Sequence, residues 1–402
     1  MKKILVLNSG SSTVKYQLFL ADGNHFSVLA KGLAERIGLP DSLISYSYSD
    51  SSKMSKMVDL PNHEVAIKEV LQILLQYSLK SIDEISAVGH RMGHGGEYFD
   101  KSVIIDDDVM NKIYETMDLI PLHGAAFVHG VEAITHLLPN IKQVATFDSA
   151  YHQSMPKEAF LYALPIEQYE QHRIRKYGFH GTSHAYIAKK TAEKLGYEGK
   201  FISCHLGNGA SVTAINNGKS IDTTMGFTPM VGMMMGTRCG DIDAYVPFHI
   251  MKTQGKTMDE VNNMLNKQSG LLGLCGFSDM RDIEEQYIAG NAKVVTAVGV
   301  YVYQLVKHIG AFVAALGGLD ALFFTAGIGE NSSFIRKLIC DKLSYLGLVL
   351  DEHMNRGGEA LREISSSSSK VKALVVPTNE ELMIAEDTYS LILDADILDT
   401  AA

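Results

Sequence analysis

Two glycine-rich segments, each set between two strand-like runs, organise the two halves of the chain. In the first half a short apolar run leads into the polar segment 8–12, and apolar and polar positions then alternate over 14–20. In the second half a similar run leads into segment 205–211, followed by apolar residues 212–215 and the hairpin signal Asn217-Gly218. The pattern predicts one strand–turn–strand hairpin per half, and it favours a duplicated domain.

Helical periodicity marks two further segments. Apolar residues recur at helical spacing over 67–75, which predicts a helix that begins after Asn62. The apolar stretch 294–316 predicts a longer and more buried helix, stopped by the glycines at 317–318. Because that stretch includes Lys307 and other polar side chains, we favour a core helix over a membrane span.

Strands and helices alternate in the last part of the chain. Residues 322–324 predict a buried strand, 327–331 a turn into another helix, and the last helix begins near Asn379. This alternation predicts layered α/β architecture. The serine-rich segments 45–56 and 365–370 are predicted to be surface loops.

Composition restricts the class of protein. A chain of 402 residues exceeds one ordinary core, so two domains are expected. The net charge of −10 argues against nucleic-acid or membrane-surface binding, which needs a basic field. The four cysteines form no CxxC pair, which favours a reduced, cytoplasmic protein without disulfides.

Three glycine-containing segments could hold phosphate groups, because glycine lets backbone N–H groups approach phosphate oxygens closely. They are residues 8–12, 205–211 and 327–331, and each follows an apolar strand. None matches the P-loop or dinucleotide-binding pattern. Two such hairpins facing each other across a cleft resemble the arrangement in the actin, sugar-kinase and heat-shock ATPase superfamily.

Four polar clusters are rich in arginine and histidine. They span residues 89–96, 147–152, 177–184 and 235–241. The planar fork of arginine matches carboxylate and phosphate oxygens, so two arginines could hold a carboxylate and a migrating phosphoryl group. The histidines lack the spacing of a zinc site.

These segments resemble the acetate kinase family in sequence and in order. The matching segments are NSGSSTVKYQLF, GHRMGHGGEYF, FDSAYHQSMP, RKYGFHGTSH, HLGNGASV, DTTMGFTPMVGMMMGTRCGDID, FTAGIGENS and PTNEEL. The resemblance implies an α/β fold of two actin-like, ribonuclease H-like domains with an inter-domain cleft, and a homodimer. The domains are expected at 1–150 plus 381–402 and at 151–380.

The resemblance also implies the site residues and ligands. The catalytic residues would be Asp148, His180 and Arg238. The acid would bind Arg91, Gly93, Leu122 and Pro229. The nucleotide, ATP or ADP, would bind Lys15, His205, Leu206, Gly207, Asn208, Gly209, Asp279, Met280, Arg281, Gly327, Ile328, Gly329, Glu330 and Asn331. Mg²⁺, with Mn²⁺ as an alternative, would be associated with Asn8 and Glu380.

Three alternatives to an acetate kinase stay open. The family usually has valine where this chain has Gly93, which would leave room for propionate or a broader range of short acids. A sugar or glycerol kinase on the same fold would need a base for its alcohol nucleophile, a role that would fall to Asp148. An actin-like ATPase would need a polymer or peptide surface and no pocket for a small acid.

Overall fold

The structure, a computed structural model, describes residues 1–48, 52–117 and 124–401, with the side chains of 125 and 398–401 outside the description. The strands are β1 (Lys2–Gly10), β2 (Thr13–Asp22), β3 (His25–Glu35), β4 (Leu43–Tyr48), β5 (Met54–Met57), β6 (Ile85–Met92), β7 (Val103–Ile104), β8 (Lys142–Phe147), β9 (Lys200–Leu206), β10 (Ala210–Asn216), β11 (Lys219–Thr223), β12 (Ala321–Thr325), β13 (Arg362–Glu363) and β14 (Lys372–Val375). The helices are α1 (His63–Tyr77), α2 (Asp107–Thr116), α3 (Gly124–Leu137), α4 (Lys157–Phe160), α5 (Glu167–Glu170), α6 (Gly181–Leu195), α7 (Val246–Gln254), α8 (Met258–Lys267), α9 (Gly270–Cys275), α10 (Met280–Ile288), α11 (Ala292–Leu316), α12 (Ala326–Asn331), α13 (Ser333–Lys342), α14 (Glu352–Arg356) and α15 (Glu380–Ala401).

The chain divides into two compact units. Unit 1 comprises Met1–Tyr151 and Asn379–Ala402, and unit 2 comprises His152–Thr378. Unit 1 contains a sheet in the order β5-β4-β3-β2-β1-β6-β8-β7, and unit 2 a sheet in the order β11-β10-β9-β12-β14-β13. Both sheets contain the same five-strand core, in which an antiparallel three-strand meander continues into two parallel strands.

The sheet of unit 1 is covered on both faces, as the side-chain alternation of β1 requires. Leu5 and Leu7 point into a core with α1 and α3, whereas Ile4 and Val6 point into a second core with α15. All four side chains are buried. A strand that is buried on both faces has a continuous run of apolar residues in its sequence, as β1 has at residues 4–7.

Local signals fix the ends of two predicted helices. The side chain of Asn62 accepts a hydrogen bond from Val65 N and caps α1, and Gly317 ends α11 in the left-handed conformation.

α11 is less buried than predicted: one face packs on the sheet of unit 2, but Tyr303 on the other is 67% exposed. It is also the one described helix long and apolar enough to cross a membrane, a test that core helices of soluble proteins pass too.

Three local predictions were wrong. Within 45–56, predicted as a loop, the described residues include parts of β4 and β5, which pair with each other. Asn8 belongs to β1 rather than to a turn, because β1 stays paired with β2 up to Gly10. Residues 327–331 are helical, since they form most of α12.

Candidate active site

In unit 1, the ends of two neighbouring parallel strands bring an arginine and an aspartate together. Arg91 lies near the end of β6, and Asp148 directly follows β8. Nε of Arg91 lies 3.1 Å and Nη2 2.6 Å from Oδ2 of Asp148, so the guanidinium donates two hydrogen bonds to one carboxylate. Both side chains are largely buried, and such a pair fixes the plane of the guanidinium.

The first turn of α15 adds two acidic side chains to this cluster. Nη1 of Arg91 lies 3.6 Å from Glu380, and Nζ of Lys15 lies 2.5 Å from Glu381. Burial would lower the pKa of Arg91, but the carboxylates of Asp148, Glu380 and Glu381 outweigh burial and raise it. Burial, helped by the neighbouring carboxylates, raises the pKa of Glu380 against the opposite effect of Arg91.

This excess of negative charge suits a divalent cation. Among the described residues no group of three or more His, Cys, Asp or Glu side chains could hold a metal by itself. Mg²⁺ does not require one, because it is commonly held by one or two carboxylates together with substrate phosphates and water. Glu380 and Asn8 both offer oxygen ligands, and Asn8 pairs across the hairpin with Lys15. These residues fit the predicted magnesium site.

In unit 2, His180 occupies a strained backbone position at the start of α6. Its φ of 60° and ψ of 20° are left-handed, which is unusual for a residue with a side chain. The imidazole stacks on that of His205 with ring centres 4.2 Å apart. Its Nδ1 lies 3.0 Å from Oγ of Ser211 on β10. The ring is therefore held from both its face and its edge.

Arg238 lies beside His180 above a glycine of the β9–β10 hairpin. A Cβ atom at Gly209 would lie 3.4 Å from Nη1 of Arg238 and 3.7 Å from Nε2 of His180. Nη1 of Arg238 also donates to Pro229 O at 3.1 Å, and burial lowers the pKa of the guanidinium. No carboxylate of a described residue forms an ion pair with Arg238, which leaves its charge for an anionic ligand.

A cavity of about 770 Å³ in unit 2 brings the three predicted nucleotide segments together. It is lined by Gly207, Asn208, Thr237, Ser278, Asp279, Met280, Arg281, Glu284, Gly327, Ile328, Asn331 and Ser332. Arg281 forms a two-donor pair with Asp279, which lowers the pKa of Asp279 to about 2. A volume of this size suits a nucleotide.

Other predicted residues have structural positions around this cavity. The carboxylate of Glu330 accepts from Ala326 N and Thr378 N, so it holds the start of α12. Leu206 and Gly329 are buried, and His205 accepts or donates a hydrogen bond with Ser183 at 2.8 Å. Leu122, predicted to line the acid pocket, lies outside the described residues.

Sequence reasoning missed Arg336, the largest fully buried side chain in the protein's described part. Its guanidinium donates to the carbonyls of Gly329 and Glu330 at the end of α12, and to Asn355. Burial lowers its pKa to about 10. Arg336 therefore fixes the C-terminal end of a helix that lines the cavity. Its sequence context, an arginine in a short helix, contains no signal of this role.

The environment of Gly93 differs from the sequence expectation of open space. A Cβ atom at this position would lie 2.6 Å from Cε2 and 3.0 Å from Cζ of Phe127, a residue of α3. A distance below 3.0 Å means that the ring or the backbone would have to move. Phe127 thus occupies the space next to Gly93 that a larger residue would need.

A second cavity, of about 640 Å³, lies in unit 1 among α2, α3 and β8. It is lined by a mixture of apolar side chains, such as Ile105, and polar ones, such as Asp106 and Glu132. None of the predicted site residues lines it.

The fold, the arginine clusters and the nucleotide-sized cavity fit an α/β phosphotransferase with two actin-like domains, and the sequence relatives identify a carboxyl group as its acceptor. The sequence model of the acetokinase family matches residues 3–386. The chain is 50% identical to the acetate kinase of Dictyoglomus turgidum over an alignment of 398 positions, which covers 97% of this chain and 98% of that protein. The chain therefore belongs to the acetokinase family, whose co-substrates are ATP and ADP.

Two solved structures agree with this assignment. The crystal structure of Porphyromonas gingivalis acetate kinase matches with a TM-score of 0.92 and 43% identity, covering 98% of this chain and all of that one. A propionate kinase from Francisella tularensis matches with a TM-score of 0.92 and 40% identity, covering 97% of this chain and all of that one. The predicted fold class is confirmed.

Proposed function

We propose that the protein is an acetate kinase that transfers the γ-phosphoryl group of ATP reversibly to acetate, giving acetyl phosphate and ADP. The observation that carries this proposal is the cavity of unit 2, where the three predicted nucleotide segments lie together. His180 and Arg238 lie above Gly209 of the same hairpin that supplies Gly207 and Asn208 to the cavity. Phosphoryl transfer needs such positioned donors more than covalent chemistry.

The attacking group requires no base. A carboxylic acid has a pKa of about 4–5, so acetate is already ionised near pH 7. A carboxylate oxygen attacks the γ-phosphorus in line as the bond to the bridging oxygen of ADP breaks. Arg91 orients the carboxylate, while Arg238 and His180 donate to the phosphoryl oxygens. Asp148 holds the guanidinium of Arg91 in place through its two hydrogen bonds.

Mg²⁺, or Mn²⁺ in its place, would be held by Asn8 and Glu380 and would neutralise charge on the phosphates. Glu380 lies in a cluster with the carboxylates of Asp148 and Glu381, and these three carboxylates outnumber the positive charges of Arg91 and Lys15, so a cation is favoured beside Glu380. Lys15 is engaged by Glu381 and contributes a further positive charge at the same end of the sheet. We infer that activity depends strictly on a divalent cation.

Turnover of ATP and acetate in the presence of hydroxylamine tests the function, because only an acyl phosphate is trapped as a hydroxamate. We expect hydroxamate with acetate and none with glucose or glycerol. Arg238→Ala should lower kcat by more than about 100-fold, and Arg91→Ala should chiefly raise KM for the acid. ATP hydrolysis without hydroxamate would instead favour an actin-like ATPase, and a phosphorylated alcohol a sugar kinase.

Propionate is the second candidate acid. Gly93 favours it, since the family usually has valine there, and the chain resembles a propionate kinase at 40% identity. Phe127 argues for acetate, because its ring fills the space beside Gly93. Acetate is therefore our first choice, and kcat/KM for acetate, propionate and butyrate decides between them.

We further propose a cytoplasmic homodimer that uses unit 2. None of the residues of α7 is buried, and the neighbouring Tyr245, like Phe248 within α7, is 63% exposed. The outer face of α11 exposes Tyr303 and Val295 as well. Exposed apolar surface of this kind favours an interface between proteins. Sedimentation of the wild type and of Phe248→Asp tests it: the wild type should be a dimer and the variant should dissociate.

A further inference from the structure

A chain of hydroxyl and imidazole groups runs from the core of unit 2 to His180. His184, one turn further along α6, is fully buried. Its Nδ1 lies 2.9 Å from Oγ of Ser203 on β9, and its Nε2 lies 2.8 Å from Oγ of Ser211 on β10. The same Ser211 oxygen lies 3.0 Å from Nδ1 of His180. One hydroxyl therefore connects the two histidines.

The hydrogens of this chain can be assigned by counting donors and acceptors. His184 is neutral, because burial, with His152 and His205 nearby, keeps its pKa well below the ordinary value. A neutral imidazole has one N–H, and a serine has one O–H. Ser211 lies between two imidazoles, so its hydrogen is satisfied only if it donates to one ring, which leaves its oxygen to accept from the other.

Ser203 decides between the two possible directions. If its hydroxyl donates to Nδ1 of His184, then Nε2–H of His184 donates to Ser211, and Ser211 donates to Nδ1 of His180. In the reverse direction His184 would donate to Ser203, whose own hydrogen would then have no acceptor among the described residues. Ser203 is fully buried, and an unsatisfied buried donor is costly.

We propose that His184 is a positioning residue that, through Ser211, holds His180 in the tautomer with its hydrogen on Nε2. This nitrogen lies on the side of the ring near Gly209 and Arg238. His180 can then donate a hydrogen bond while neutral, without adding a second cation beside Arg238. The inference rests on the proposed function only where it assigns that hydrogen bond to a phosphoryl oxygen.

The tautomer can be measured directly in the intact wild-type protein. With ¹⁵N-labelled histidine, long-range ¹H–¹⁵N spectra distinguish Nδ1–H, Nε2–H and imidazolium, and the His180 signals are those lost in His180→Ala. We expect Nε2–H for His180 at pH 7.5. Either of the other two forms overturns the proposal, whether or not the protein makes acetyl phosphate.

Kinetics of Ser211→Ala provide a second test. Loss of the hydroxyl should leave both tautomers of His180 populated and lower kcat about 10-fold, with KM for ATP and acetate unchanged. Thr213→Val is the matched control. Thr213 lies two residues after Ser211 on β10, and the change removes a buried hydrogen bond between the hydroxyls of Thr213 and Thr223. It should keep kcat at the wild-type value.

The double variant separates positioning from general structural damage. If Ser211 acts through His180, Ser211→Ala should have no further effect on kcat in a His180→Ala background. With His180 present, Ser211→Thr, which keeps the hydroxyl, should retain most of the wild-type activity. An equal loss in both backgrounds means that Ser211 acts elsewhere, and the proposal is then wrong. Should Ser211→Ala fail to fold, the wild-type spectrum alone still decides the tautomer.

Discussion

Arg91 and Asp148 form a two-donor ion pair in which Nε and Nη2 of the guanidinium lie 3.1 and 2.6 Å from the same carboxylate oxygen. If Asp148 acts by holding Arg91 in place, as we propose, its loss should affect binding of the acid rather than the chemical step. We expect Asp148→Asn to raise KM for acetate about 10-fold, because an amide oxygen accepts from Arg91 without charge. Steady-state kinetics with acetate varied at saturating ATP measure this.

The matched control for Asp148→Asn is Asp222→Asn, which removes the negative charge from a partly buried ion pair with Lys176 elsewhere in the protein. It should leave both KM values unchanged. If Asp148→Asn instead abolishes kcat with normal KM for acetate, Asp148 acts on the reacting groups and not through Arg91.

The raised pKa of Glu380 gives stability a definite dependence on pH. The folded state binds this proton more tightly than the unfolded state, so the contribution of Glu380 to the free energy of unfolding falls as pH rises through the raised pKa. Glu380→Gln removes this contribution. Without Mg²⁺, the variant should therefore gain stability relative to wild type as the pH rises above about 4.5, the ordinary pKa of a glutamate.

Denaturant unfolding at several pH values, with and without Mg²⁺, measures this effect. Mg²⁺ should stabilise the wild type and should stabilise Glu380→Gln less, since a ligand that binds only the folded state adds to its stability. Equal stabilisation of both by Mg²⁺ would place the metal elsewhere. Full activity of the wild type in excess EDTA would refute metal dependence altogether.

Arg336 provides a test of how α12 supports the nucleotide cavity. Arg336→Lys keeps the charge but cannot reproduce four hydrogen bonds to Gly329, Glu330 and Asn355. We expect KM for ATP to rise about 10-fold, as for the loss of one or two hydrogen bonds, with KM for acetate unchanged. Arg362→Lys is the control, because Arg362 also donates to carbonyls, those of Met354 and Glu359.

Sequence patterns predicted what depends on neighbouring residues. The cap at Asn62, the stop at Gly317 and the two hairpins are local, since a few adjacent side chains and backbone angles decide them. Asn8 was misplaced because pairing with Lys15 extends β1 beyond its apolar run. Strand pairing is a tertiary contact that hydrophobic alternation in one strand does not report.

The candidate site was predictable to the extent that family motifs identify residues. The cavity does contain residues of all three predicted nucleotide segments. The supporting contacts were not predictable, because they join residues far apart in sequence. Arg336 meets Asn355 on another helix, and Ser211 meets His184 across a helix–sheet packing. No local pattern distinguishes such residues from ordinary core or surface positions.

The close approach of Phe127 to Gly93 allows a test of the proposal that Gly93 lines the acid pocket. Gly93→Val alone should destabilise the protein by about 1–3 kcal/mol, because its Cβ would lie 2.6 Å from the ring of Phe127. Phe127→Ala alone should enlarge the space beside Gly93 and, if that space belongs to the proposed acid pocket, raise the kcat/KM ratio of propionate to acetate. An apolar pocket discriminates between acids that differ by one methylene by roughly 10–200-fold, so the propionate-to-acetate ratio should change by no more than this.

The double variant Gly93→Val with Phe127→Ala tests whether the two positions share one space. If they do, it should recover much of the stability lost in Gly93→Val and return the propionate-to-acetate ratio toward the wild-type value. Phe99→Leu is the control, because Phe99 belongs to the same apolar cluster but stacks on Phe147 and not on Gly93. It should lower stability and leave the ratio unchanged. Additive effects of Gly93→Val and Phe127→Ala on both stability and acid preference would show that Phe127 does not set the size of the pocket.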